Sequence, residues 1–286
     1  MRLTQLHDIP GLTIDDKLQR IIDNADGHRV WVQPKYNGIM GIWYNGDMWT
    51  RQGKKYKPGA FCEKFYAELS TVPPGVILYG ELCIDDIPFQ DAVGLLSVNR
   101  LPVGLDTHRF YIHDWFDTNI PVNEQPYSVR VKALQDYLES SIIPRTFVHV
   151  VESRLIAFAY LIKQAFDEMV SIKREGIVIR AEPAFICVTT DSPQIIKWKK
   201  TEDDEGICVS VYEGLGKLEG TLGGFVVRLK TGAHVNIGGG KGLNDTMRDR
   251  LWKNPPIDKA ITFAYEMLST DGVPLKPQFI SVRNYE

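Results

Sequence analysis

Lys35-Tyr36-Asn37-Gly38 closes a short apolar run, and a lysine placed there can do chemistry. Val30 to Lys35 alternates as a strand does, which puts Trp31, Gln33 and Lys35 on one face. Pro34 removes a ladder donor and confines that strand to an edge or to its last residues. Lys35 therefore stands where a strand stops and a loop opens. A lysine amine beside a close-approaching glycine attacks phosphorus or carbonyl centres once burial or neighbouring cations have favoured loss of its proton. K-x-x-G on its own more often marks a surface lysine in a polar turn, so the chemical reading depends on partners elsewhere in the chain.

Four further stretches supply such partners. Val76 to Ile84 reads as a strand with Tyr79, Glu81 and Cys83 on one face, and a glutamate in an apolar strand is costly to bury unless it is paired or binds a cation. Phe110 to Trp115 is a strand in which Tyr111 and His113 share a face. In Glu175 to Arg180, alternation groups Glu175, Ile177 and Ile179. Ile195 to Lys200 points Lys197 and Lys199 the same way; the two repel, and a bound anion would remove the conflict. Other chemistries fail on spacing. Gly214-x-Gly216-x-x-x-Gly220 lacks the dinucleotide-binding pattern and leads into no helix. Gly238-Gly239-Gly240-Lys241-Gly242 has no Ser or Thr after its lysine, and both segments read as β-turns. The histidines neither pair with a Ser or Cys elbow nor show zinc-ligand spacing.

Around these residues the chain alternates helices and strands. Residues 14–25 form a leader helix behind an acidic first turn, and Asn45-Gly46 joins Gly41–Tyr44 to Asp47–Arg51 as a tight hairpin. The spacing predicts helices over Ala60–Leu69, Val129–Glu139 and Leu155–Met169, with a strand at Phe147–Val151. Thr201 to Gly206 is charged and reads as a hinge. Beyond it lie five short strands, Ile207–Tyr212, Gly224–Lys230, His234–Ile237, Ile261–Leu268 and Gln278–Arg283, with a helix at Asn244–Lys253. That inventory suits a five-stranded OB-type barrel. The expected fold class is α+β, with residues 1–202 as antiparallel sheets flanked by helices and residues 203–286 as the barrel.

The 286 residues, 44% of them hydrophobic, are ample for two domains, and a net charge of −3 excludes a generally basic nucleic-acid coat while allowing a local basic groove. Cys62, Cys83, Cys187 and Cys208 show no C-x-x-C and read as reduced thiols. No run approaches the ~20 apolar residues of a membrane span and the start has no apolar signal core, so a cytoplasmic protein that avoids membranes is expected.

The order K-Y-N-G, T-R-Q-G-K, Y-G-E-L, F-Y-I-H-D, E-G-I-V-I-R and I-I-K-W-K-K, followed by a barrel, resembles the motif series of the covalent nucleotidyltransferases. The resemblance is to the small ATP-dependent DNA ligases of bacteriophages and algal viruses in particular. It spans nearly the whole chain. The segments L-W-K-N-P and I-T-F-A-Y-E-M-L-S-T-D-G-V-P-L-K-P-Q-F-I-S-V-R look like the closing part of those minimal ligases, and RNA ligases of similar size usually lack this barrel.

The resemblance implies roles. Lys35 would take AMP from ATP as a lysyl phosphoramidate, Lys197 and Lys199 would bind the α-phosphate, and Glu175 and Glu81 would hold Mg²⁺ or Mn²⁺. For Glu81 a strand carboxylate paired with Arg51 or a lysine is the alternative. Gln33 would read the adenine edge, Arg51 would contact sugar or phosphate, and His113 or Tyr111 would stack on the base. Arg283 matches the final arginine of the closing motif and would meet the leaving pyrophosphate. Three departures stand out: Asn37 replaces an aspartate, Met40 replaces an arginine, and Leu275, or Lys276 displaced by one, stands for the closing motif's first basic residue. The expected partner is nicked double-stranded DNA, and the expected enzyme is a monomer of phage or viral type in a bacterial or infected-host cytoplasm. An RNA ligase, a GTP-dependent mRNA-capping guanylyltransferase and a catalytically silent nucleic-acid-binding relic are the alternatives.

Overall fold

Val30–Lys35 forms the strand on which the site is built, and two sheets assemble around it. The computed structural model describes residues 4–6, 9, 13–84, 87, 89–96, 104–140, 145–172, 174–183, 194–240 and 242–283. Cys187 and Lys241 lie outside the described residues. By contacts the chain divides into two units, Met1–Lys199 and Lys200–Glu286.

In the first unit the elements run β1 (Thr4–Gln5), α1 (Ile14–Asp23), β2 (Val30–Lys35), β3 (Ile39–Tyr44), β4 (Asp47–Thr50), α2 (Glu63–Leu69), β5 (Val76–Ile84), α3 (Phe89–Leu95), β6 (His108–Asp117), α4 (Tyr127–Glu139), β7 (Val148–Val150), β8 (Arg154–Ile156), α5 (Ala159–Ser171), β9 (Gly176–Arg180) and β10 (Ile195–Lys199). One sheet has the order β1-β10-β9-β2-β8 and the other β4-β3-β5-β6-β7. Helix α1 opens with a capping box, Thr13 accepting from the Asp16 amide and Asp16 from the Thr13 amide, which satisfies two orphan donors. Its apolar face, Leu18, Ile21 and Ile22, packs with Ile162, Ala165 and Met169 of α5 on Val30, Val32, Ile177 and Ile179. Strand alternation then leaves Gln33 and Lys35 on the opposite face. A second core, with Phe61, Phe65, Leu78, Phe110 and Phe147, backs the other sheet. A small cluster of Tyr79, Phe116 and Ile195 joins the two sheets, and Ile195 also lines a cleft between them.

Pro34 is tolerated because β8 pairs only with Val30, Trp31 and Val32, so the proline lies beyond its partner's end. The helix expected from Leu155 begins later: Arg154–Ile156 is instead an edge strand, paired with residues more than a hundred positions away, and α5 starts at Ala159. Helix α2 likewise starts at Glu63, and α3 was not expected. Glu68 of α2, 3% exposed, accepts from the amides of Thr146, Phe147 and Val148 and ties the helix to β7.

The second unit is a barrel of β11 (Glu202–Glu213), β12 (Leu222–Arg228), β13 (His234–Ile237), β14 (Ala260–Tyr265) and a last strand, with α6 (Asp245–Lys253) between β13 and β14. After β14 come β15 (Met267–Leu268), β16 (Pro274–Leu275) and β17 (Gln278–Val282). The order β13-β12-β11-β14-β17, closed by a parallel bridge from Gly239 to Gln278, is that of an OB fold. Two expectations change here. Thr201–Gly206 is no hinge loop: Glu202 to Gly206 pair with Tyr265 to Ile261, so the acidic run is the first half of a long strand. The strand expected over Ile261–Leu268 breaks at Glu266, and its tail forms a separate hairpin with β16.

Candidate active site

Lys35 sits at the C-terminal end of β2, and two glycines let the backbone close around it. A Cβ on Gly38 would lie 2.2 Å from the Leu82 carbonyl oxygen, so only glycine lets this loop lie against β5. A Cβ on Gly176 would lie 2.1 Å from the Trp198 oxygen, and its φ of +145° is open to glycine alone. That conformation breaks the alternation expected for Glu175: Ile177 and Ile179 face the core, while Glu175 turns to the lysine.

The lysine amine is in contact with that carboxylate. Lys35 Nζ donates to Glu175 Oε2 at 2.5 Å and lies 3.4 Å from the Tyr36 carbonyl oxygen. Glu175 Oε1 pairs with Lys199, so one carboxylate is shared by two ammonium groups. Lys35, Lys197, Lys199, Glu81, Arg51, Gln33 and His113 all line a single cleft of about 860 Å³. Arg51 is exposed and makes no ion pair among the described residues, and none joins it to Glu81. Glu81's carboxyl is pushed up to about 7, first by burial, against the pull of Lys35 and with the charge of Glu175 adding to it. Arg283 lies in the second unit, where its Nε donates to Glu205 Oε1 at 2.9 Å and Thr262 Oγ1 at 3.1 Å.

Gln33 is 2% exposed and its amide is already occupied. Its Nε2 donates to the His113 carbonyl and the Ser153 hydroxyl, and its Oε1 accepts from Arg180 Nε. As it stands the side chain has no proton left with which to read a base edge, and it braces β2 against β6 and β9 instead. Tyr111 stacks on Tyr36 at 3.9 Å and on His149 at 5.3 Å, and Arg174 lies 4.3 Å over the Tyr36 ring. Those partners occupy Tyr111, and both Tyr111 and His113 line the cleft. Sequence reasoning missed Arg180 and this aromatic stack. Arg180 shares its face with Val178, two residues before it, so period-two alternation from the cleft-lining position is the signal that would have found it.

Residues 32–199 match the family model described as RNA ligase, which spans more than half of the chain, and residues 213–283 match that described as DNA ligase OB-like domain. The chain belongs to the RNA ligase family. A DNA ligase of Haemophilus influenzae is 24% identical to this RNA ligase family member over 250 residues, 87% of this chain and 84% of the relative. Among solved structures, a protein from a structure-function analysis of Lig E DNA ligases aligns with a TM-score of 0.68 at 23% identity, covering 89% of this chain and 92% of the other. The ATP-dependent DNA ligase of bacteriophage T7, in complex with ATP, aligns with a TM-score of 0.52 at 17% identity over 99% of this chain and 98% of the other. These likenesses show that the family member's fold is a nucleotidyltransferase unit followed by an OB barrel.

Proposed function

We propose that the protein is an ATP-dependent DNA ligase that seals nicks in duplex DNA. The observation that carries this reading is the contact of Lys35 with Glu175 at 2.5 Å in a cleft that also holds Lys197 and Lys199. Lys35 Nζ, having passed a proton to Glu175 Oε2, attacks the α-phosphorus of ATP as the free amine; an N–P bond forms, the P–O bond to pyrophosphate breaks and pyrophosphate leaves, and AMP stays on the lysine. Glu175 Oε2 orients the amine, and Lys197 and Lys199 neutralise charge developing on the α-phosphate. The AMP then passes to the 5′-phosphate at the nick, and the 3′-hydroxyl displaces it to close the strand. Arg51 and His113 hold the nucleotide, Glu81 backs the reactive lysine, and Arg283 acts on the leaving pyrophosphate.

Glu81 and Glu175 are the carboxylates that would hold a divalent cation, Glu175 giving up its contact with Lys35 or Lys199 to do so. Glu81 and Glu175 lie close enough for each charge to act on the other, and Glu81's carboxyl, raised to about 7, is a buried group that a cation would return to its charged form. Mg²⁺ or Mn²⁺ held by Glu81 and Glu175 would supply further charge neutralisation at the transferred phosphate. DNA is favoured over RNA by the match of residues 213–283 to a DNA ligase OB-like domain. The enzyme is read as a monomer, with residues 1–202 as the adenylating domain and 203–286 as the clamp-forming barrel. Among the described residues no helix is long and apolar enough to cross a membrane.

Incubation with α-labelled ATP or GTP and Mg²⁺, followed by nicked DNA or nicked RNA, tests the reading. Label bound to the protein from ATP alone and lost on sealing of nicked DNA is expected. Label from GTP alone, or discharge only onto RNA, would select the capping or RNA-sealing alternative.

A further inference from the structure

His113 enters the cleft with its ring held from behind. Arg180 Nη2 lies 3.1 Å from His113 Nδ1, while Nε of the same guanidinium donates to Gln33 Oε1 and Nη1 donates to Asp114 Oδ2. Asp114 is fixed in turn by Arg130, whose Nε donates to Oδ1 at 2.7 Å, and Arg180 and Asp114 are each 3% exposed. The His113 carbonyl oxygen accepts from Gln33 Nε2 and from the Tyr127 hydroxyl. Ring and main chain are both pinned.

A guanidinium has donors only and keeps its charge at every working pH. His113 Nδ1 must therefore accept, and a neutral imidazole then carries its proton on Nε2. Burial first, then the charges of Arg180 and Lys35, hold the ring in its neutral form. Nε2 bonds to no described residue, and His113 is one of the residues that line the cleft.

We propose that Arg180 fixes His113 as the Nε2–H tautomer, so that Nε2–H is a directional donor to a ring nitrogen of the bound purine. This rests on reading the cleft as the ATP site. Gln33 has no amide proton free for the task. The opposite tautomer would present a lone pair and favour an exocyclic amino group instead. His113 thus touches the nucleotide, and Arg180 is a positioning residue acting through it.

The test follows transfer of labelled nucleotide to Lys35 in the full chain, using ATP and its 1-deaza, 3-deaza and 7-deaza analogues. One analogue is expected to show a KM raised about tenfold with kcat close to that of ATP. In His113→Phe the KM for ATP should rise to that of this analogue, and the difference should vanish. Nitrogen-15 NMR of the imidazole reads the tautomer without turnover: a protonated Nε2 and a bare Nδ1 in wild type, and mixed tautomers in Arg180→Gln. Equal KM values for all four nucleotides, a difference surviving in His113→Phe, or a protonated Nδ1 in wild type would overturn the proposal. Failure of the proposed function itself looks different, with no label transferred from any of the four.

Discussion

Lys35 Nζ and Glu175 Oε2 meet at 2.5 Å although 140 residues separate them in sequence. The charge of Glu175, more than its shape, orients the amine, because the same carboxylate must also satisfy Lys199. Glu175→Gln keeps the volume and removes the charge. We expect lysyl-AMP formation to fall by about 10² or more, roughly 3 kcal/mol, by the scale of losing one positioned electrostatic partner. Single-turnover labelling measures it, and an unchanged rate would reduce the contact to a packing detail.

Lys35→Ala should abolish the protein–nucleotide adduct while leaving nick binding largely intact, since phosphate contacts spread over a protein carry most nucleic-acid affinity. Acid lability and alkali stability of the wild-type adduct identify the phosphoramidate. Label persisting in the Ala variant would remove Lys35 from its role.

Arg283→Ala should slow adduct formation by about 10² to 10³, or 3 to 4 kcal/mol, yet still seal a nick whose 5′ end already carries AMP. Comparison of the two assays decides it. Equal loss in both would mean that its bonds to Glu205 and Thr262 serve only the barrel.

Gly176→Ala places a Cβ 2.1 Å from the Trp198 oxygen at a φ of +145°, so β10 must move away from β9 or Glu175 must swing off Lys35. A loss of more than about 2 kcal/mol in denaturant unfolding is expected, with adduct formation failing in parallel. Retained stability with full activity would show that the strand pair yields more easily than its hydrogen bonds suggest.

Two buried groups make stability depend on pH in opposite directions. His108 is lowered to about 4, chiefly by burial, so the folded state keeps it neutral while the unfolded chain binds a proton below about 6.5; its contribution is present at neutral pH and is lost as pH falls toward 4. Glu81 is raised to about 7, so its folded form holds a proton the unfolded chain has released, and its contribution is lost as pH rises from 4.5 to 7. The slopes oppose each other in the shared window. Removing Glu81 by Gln should therefore unmask a stability that rises by about 2 kcal/mol between pH 4.5 and 6.5 in metal-free buffer. Urea midpoints across that range test it, and a flat profile in the variant would mean that His108 titrates normally.

Much of this was legible in the residues. Alternation alone put Gln33 and Lys35 on one face and Lys197 beside Lys199, and turn chemistry placed the hairpin after Gly38, because each depends on neighbours within a few positions. The orientation of Glu175 was not legible, since Gly176 reverses the alternation by a dihedral that no pattern reports. The use of Gln33 as a brace and of Arg180 as its partner depends on residues 147 positions apart, a distance at which local periodicity carries no information. Arg154–Ile156 failed for the same reason: a segment with only two apolar residues, Leu155 and Ile156, is strand or helix according to what lies alongside.

The carboxylate of Glu68 has a consequence for how molecules of this protein meet one another. Strand β7 ends its sheet, and an exposed strand edge is a template on which another chain can polymerise. Here the amides of Thr146, Phe147 and Val148 are already claimed by Glu68, so an incoming strand finds the donors at the start of this edge taken. Loss of that carboxylate would free these amides, and it would surface first as aggregates in concentrated solution.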